Sequence, residues 1–218
     1  MSGRRSESGS VNGCLGSLNF IDDKVVQLLE LVPQKLQGVC LIKPQVHTDS
    51  RGYFVETYKK NSFEALIKKQ VHFVQDNESC SQYGTLRGLH FQTGAMAQSK
   101  LVRVVQGAVW DVAVDIRKGS PTYGEHIAVE LSGANKHQLF IPPGFAHGFL
   151  TISDSAILVY KVDQFYSAKH ERGIAFDDLQ LGIKWPVAKK DIILSQKDSN
   201  QPQLSDLPSY FDFTFTHE

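Results

Sequence analysis

The stretch "GAVWDVAVDIR", residues 107–117, alternates its side chains with a period of two. Ala108, Trp110, Val112, Val114 and Ile116 fall on one side, and Val109, Asp111, Ala113, Asp115 and Arg117 on the other. A helix cannot use that pattern, because its faces recur every three to four residues. The segment "HIAVELSGANKHQLFIPPGFAHGFLTISDSAILVYKV" continues with short apolar runs broken by Gly, Asn, Pro and Asp. Many short strands at even spacing predict an all-β closed barrel or jelly roll. A small barrel of this kind has a polar mouth that can hold one small ligand.

The flanks are less regular. Residues 19–31 carry Val25, Leu28 and Leu29 at helical spacing, and Pro33 stops the run, which predicts a helix. "GVCLIKPQVHTDSRGYFVETY" reads as strand, "DSRG" turn and strand. "NSFEALIKKQ" reads as a short helix, with Asn61 as its cap and Glu64 completing a capping box. After Lys169 the alternation weakens, and "DDLQLGIKWP" and "ILSQKDSNQPQL" predict loops and short helices packed on the barrel. Residues 1–18 are polar and predict a disordered extension with no secretory leader. Residues 19–218 then form one domain.

Composition limits the partners. The chain has 23 basic and 23 acidic residues and a pI near 7.1, which argues against nucleic acid or an anionic membrane. Cys14, Cys40 and Cys80 are widely spaced and form no CxxC pair, which predicts free thiols in a reducing, cytoplasmic setting. No apolar run is long enough to span a bilayer.

Polar residues that such a barrel could gather are His90, Arg87, Lys100, Gln75, Asn77, His147, Tyr160 and Asp198. Each alone has a plain alternative. His90 could be a satisfied core histidine, Lys100 a surface lysine, Tyr160 a half-buried wall residue and Asp198 a turn residue. A metal site is the other possibility for the histidines. His147 follows a Pro-Gly turn, as in metal-binding cupins, but Gln92 stands where the second His of an HxH pair would be. Isolated histidines without a clustered carboxylate do not make a transition-metal site, so none is expected.

Taken together, seven stretches settle the order. "DSRGYFVETY", "FVQDNES", "GTLRGLHFQ", "SKLVRVVQGAVWDVAVDIRKGSPTYG", "IPPGFAHGFLTISD", "VYKVDQFYSAKHERGIAFDD" and "LGIKWP" resemble, in order and spacing, the dTDP-4-dehydrorhamnose 3,5-epimerase family. The resemblance runs from about Leu41 to Asp198. It implies a cupin-like jelly roll with short flanking helices, a homodimer, and no metal or redox cofactor. It implies a nucleotide-linked 4-keto-6-deoxyhexose as substrate. By the same resemblance His90 is the base, Asp198 its dyad partner, Lys100 the group beside the 4-keto oxygen and Tyr160 the acid on the opposite face. Arg87, Gln75, Asn77, His147 and Tyr166 match pocket positions. Arg51, Phe54 and Glu56 match a segment that crosses to a partner subunit. Two departures stand out. Leu179 occupies a position where the family commonly has Pro, and "TGAMAQSK" replaces a stretch often richer in Pro. Both predict local loop changes only.

Elementary chemistry agrees with that set. A ketone at C4 acidifies the protons at C3 and C5. Epimerisation then needs a base on one face, a proton donor on the other and positive charge at the enolate oxygen. A neutral His can serve as base near pH 7, and a carboxylate on its second nitrogen fixes the tautomer. Arg51 and Arg87 suit a diphosphate. Three outcomes remain open from sequence. They are double epimerisation, mono-epimerisation or ketoisomerisation of a related sugar nucleotide, and binding without turnover.

Overall fold

The computed structural model describes residues 29–214. The predicted disordered extension and residues 19–28 of the predicted helix lie outside them. The strands, in chain order, are β1 (Leu29–Pro33), β2 (Cys40–Pro44), β3 (Val46–Asp49), β4 (Gly52–Val55), β5 (Gln75–Gln82), β6 (Leu86–Gln92), β7 (Lys100–Gln106), β8 (Ala108–Asp115) and β9 (Arg117–Lys118). They continue as β10 (His126–Ser132), β11 (Gln138–Ile141), β12 (Phe145–Thr151), β13 (Ser155–Val162), β14 (Glu171–Gly173) and β15 (Phe211–Asp212). One α-helix, α1 (Lys60–Ile67), interrupts them between β4 and β5.

Two sheets face each other as a jelly roll. One has six strands in the order β1-β2-β11-β7-β13-β5, the other five in the order β10-β8-β12-β6-β14. The alternation of β8 is the reason both of its sides can be buried. Val109 and Ala113 join Val102, Val104, Leu139, Ile141 and Leu158 between the sheets. Val112, Val114 and Ile116 point the other way and meet Ile174, Leu181 and Leu204 of the C-terminal segment. That segment is built of turns, short 3-10 pieces and β14, and it lies over the outside of the five-stranded sheet. It ends as β15 beside β9 in parallel. There the Arg117 guanidinium grips the buried Asp115 carboxylate and lies over the Phe145 ring.

Two expectations fail here. Leu29–Leu31 is not the end of a helix but part of β1, paired antiparallel with β2 (Leu31 opposite Ile42). Short apolar runs satisfy either period, and an open sheet edge with unpaired backbone groups decides for the strand. Asn61 does not cap α1. The helix starts at Lys60, the extended residue before it is Lys59, and no side chain caps it. Burial of Phe63 against Tyr58, Phe73 and Phe140 sets the helix start, which places Asn61 inside the first turn. Glu64 instead accepts the Val71 N–H at 3.0 Å.

The "DSRG" turn is present as the β3–β4 hairpin. At the Leu179 departure the loop is held by Asp178, which is buried and accepts backbone N–H groups of Gln180, Leu181 and Leu204. Leu179 itself points into solvent. Among the described residues, no helix is long and apolar enough to cross a membrane.

Candidate active site

His90 lies on β6, in register with His147 of β12 on one side and Gly173 of β14 on the other. A bulge in β6 explains how it and Arg87 share a face. Residues three apart on a regular strand point to opposite sides. Between the Phe149–Arg87 and His147–His90 pairs, β6 holds one residue more than β12. The extra residue flips the parity. Arg87 therefore reaches inward to donate to the Ser81 hydroxyl at 3.0 Å, while Leu89 packs outward. Gly88 and Gly148 allow this because the strands touch there. A Cβ on Gly88, at φ +139°, would lie 2.5 Å from the Gly148 Cα.

Asp198 sits in the C-terminal segment, on a 3-10 turn (Asp198–Asn200), almost wholly buried. Its Oδ1 is 2.5 Å from His90 Nε2. Gly173 makes room for this approach, since any Cβ there would collide with the Gln201 side chain. Burial pushes the Asp198 carboxyl up, but the His90 hydrogen bond and charge, the Ser195 hydroxyl and Lys197 more than offset it. Asp198 is thus held below the ordinary aspartate range. A carboxylate that accepts a hydrogen bond from Nε2–H leaves Nδ1 as the basic nitrogen of His90.

Opposite stands the six-stranded sheet. Lys100 of β7 pairs with Val162 of β13, and Tyr160 lies two residues along on the same inward face. Asn77 of β5 pairs with Tyr160, and Gln75 with Val162. These four side chains therefore form one patch facing His90 across the gap between the sheets. Gln75 donates to the Asn77 side chain at 2.8 Å. Surrounding protein desolvates Lys100 and lowers its pKa to about 8, with Asp111 and Glu171 partly restoring its charge. Its Nζ is 3.5 Å from the His90 carbonyl oxygen. Burial, then the Glu171 charge, raises the Tyr160 hydroxyl above the usual tyrosine range against the pull of Arg87.

His147 is buried, and its Nε2 faces both oxygens of Asp111 at 2.9 and 3.0 Å. Tyr166 stands at the rim, 57% exposed, with its hydroxyl on Glu171. Arg51, Phe54 and Glu56 are elsewhere. They lie on or beside the β3–β4 hairpin over the outer face of the six-stranded sheet, and Phe54 is 71% exposed. Arg51 pairs with Asp49, not with any residue around His90. Among the described residues, no group of three or more His, Cys, Asp or Glu side chains is placed to hold a metal ion.

The family model described as dTDP-4-dehydrorhamnose 3,5-epimerase matches residues 33–206. The chain belongs to this family. An epimerase of that name from Shigella flexneri is 48% identical over 82% of this chain and 97% of its own. The crystal structure of the dTDP-6-deoxy-D-glucose-3,5-epimerase of Legionella pneumophila, in complex with dTDP-4-keto-L-rhamnose, superposes with a TM-score of 0.83 at 40% identity. It covers 86% of this chain and all of that one. The dTDP-4-dehydrorhamnose 3,5-epimerase of Elizabethkingia anophelis superposes at 0.79 with 47% identity, covering 82% and 98%.

Two acids that the sequence reading did not single out, Glu171 and Asp111, stand beside the candidate residues. Glu171 lies beside the dyad and accepts from Tyr166 and Lys197 at 2.8 Å each. Lys197 and Tyr166 hold its carboxyl low against burial, so it stays an anion among the cations of the site. Nothing in "KHERG" marks it, because β14 is only three residues long. Asp111 did leave a signal, an acid between Val109 and Ala113 on one side of a strand, and acids are rarely buried without a partner.

Proposed function

We propose that this epimerase inverts C3 and C5 of dTDP-4-dehydro-6-deoxyglucose, giving dTDP-4-dehydrorhamnose. The observation that carries the reading is the His90–Asp198 pair on one sheet facing Lys100 and Tyr160 on the other. His90 Nδ1 removes the proton α to the ketone, and Asp198 stabilises the imidazolium that forms. Lys100 meets the negative charge on the C4 oxygen. Tyr160, kept protonated by its raised pKa, returns a proton from the opposite face. Once His90 has released its proton to solvent and Tyr160 has regained one, the same steps at the second carbon complete the reaction.

Arg87, Gln75, Asn77, His147 and Tyr166 orient the sugar nucleotide. A homodimer completes the site, with Arg51, Phe54 and Glu56 of each hairpin reaching the other subunit. The exposed aromatic rings of the hairpin and their distance from their own dyad support that arrangement. The enzyme works in the cytoplasm without metal or redox cofactor. Binding without turnover is disfavoured, because a base and a donor on opposite walls serve no purpose in mere recognition.

The test is proton NMR of purified protein with dTDP-4-dehydro-6-deoxyglucose, alongside His90→Ala. Wild type should generate the inverted sugar, and the variant should bind dTDP and generate none. Turnover by His90→Ala at the wild-type rate would remove His90 as base.

A further inference from the structure

Gln92 stands two residues after His90 on β6 and is only 4% exposed. Its side-chain amide is spent on the backbone of two separate loops. Nε2 donates to Met96 O at 2.8 Å and to Phe165 O at 3.1 Å, and Oε1 accepts the Ser167 N–H at 2.5 Å. Other bonds join the same loops. Gln98 donates to Gln164 O at 2.6 Å, the Ser99 N–H to Asp163 at 2.6 Å, and the Thr93 hydroxyl to His170 O at 3.2 Å. The loop so held carries Phe165 and Tyr166, both more than half exposed. From it the Tyr166 hydroxyl reaches Glu171, which pairs with Gln92 in the strand register. The strand that carries the base and the loop that carries the rim are thereby joined through one amide.

We propose that Gln92 is a positioning residue that fixes the Gln164–Ser167 loop, and with it Tyr166, at the mouth of the site, and so sets the affinity for the nucleotide sugar. The inference rests on the proposed function for its kinetic part. Gln92 touches no reacting atom, so its loss should act on binding rather than on proton transfer. An apolar side chain of the same shape would fill the space but leave the Met96 and Phe165 carbonyls and the Ser167 N–H without their partner, so the amide ties the loops to β6 rather than merely packing.

The test uses Gln92→Leu, Tyr166→Ala and the double variant. Gln92→Leu should raise KM and the dTDP dissociation constant about tenfold, the equivalent of about 1.4 kcal/mol of lost binding at the rim. It should lower kcat less than about threefold, the pattern of lost ground-state binding. Tyr166→Ala should then add little to KM in the Gln92→Leu background, because the two act as a unit. Hydrogen exchange of residues 164–168 in the free protein should accelerate. A fall in kcat at unchanged KM, full additivity with Tyr166→Ala, or unchanged exchange would each overturn the proposal. If Gln92→Leu does not fold, Gln98→Ala removes only the exposed bond to Gln164 and must show the same pattern in weaker form. If wild type neither binds dTDP nor turns over the sugar, the proposed function fails, and the exchange data still judge the clamp.

Discussion

Lys100 shows best how single residues are tuned. Desolvation lowers its pKa to about 8, so it is charged at neutral pH and loses that charge just above. Tyr160 is raised, so it is not the group that titrates there. The value of kcat/KM should therefore fall as pH rises through about 8, and a flat profile to pH 9.5 would remove Lys100 from the chemistry. The sign for stability follows from the same shift. The folded pKa lies below the unfolded value of about 10.5, so the unfolded chain binds more protons between about pH 8 and 10.5, and stability rises across that window. Lys100→Met should melt higher than wild type at pH 7, with the gap closing toward pH 10.5. It should also lose about 10² to 10³ in rate, the usual effect of removing an oxyanion donor. A variant that melts lower at pH 7 would mean that Asp111 and Glu171 fully compensate the charge. His90 and Lys100 fall inside long family stretches of the sequence, whereas Asp198 lies in none of them and is marked as a candidate only through the family resemblance. Glu171 and Lys197 were not visible, since an exposed-looking acid and a lysine in loops acquire meaning only when the C-terminal segment folds over β6.

At the scale of elements, the bulge in β6 matters most. It turns Arg87 and His90 to the same side, and two glycines in different motifs, Gly88 and Gly148, make the strand contact that permits it. Gly88→Ala should cost about 1–3 kcal/mol for overpacking alone, and it should lose activity because Arg87 and His90 move together. Gly119→Ala is the control. It also has positive φ (+82°) but open space around it, so it should lose a little stability and keep activity. Thermal melts and turnover of the pair check this, and equal losses in both would mean that backbone conformation alone matters. Strands were legible where alternation ran long, as in β8, or where an apolar run was bounded by turn residues, as in β13. They were not where a run was short, as at Leu29–Leu31, because tertiary edge pairing chose the structure. The bulge left no trace beyond an unexplained glycine in "LRGLH".

For the whole molecule, the two sheets place His90 and Tyr160 on the two opposite walls that the proposed mechanism needs. The outer surface of the six-stranded sheet carries the hairpin on which the proposed dimer depends. The hairpin lies over it, with Tyr53 against Lys136 and Phe54 outward. A groove of about 310 Å³ beside it is lined by Asp76, Glu78, Arg103, Gln138 and Lys161. The protein should sediment as a dimer, and Phe54→Asp should both shift it toward monomer and raise KM. A monomeric wild type with full activity would show that the site needs no second subunit. The jelly roll could be read from spacing, whereas the proposal that the hairpin crosses to a second subunit rests on family resemblance, since Arg51, Phe54 and Glu56 look like ordinary surface residues within one chain.

The most direct measurement of the central claim is deuterium uptake in heavy water, followed by proton NMR of the sugar ring. A base and an acid on opposite walls predict deuterium at both C3 and C5, with both centres inverted and uptake lost in His90→Ala. Uptake at one carbon only, or at neither with the substrate bound, would contradict a double epimerase.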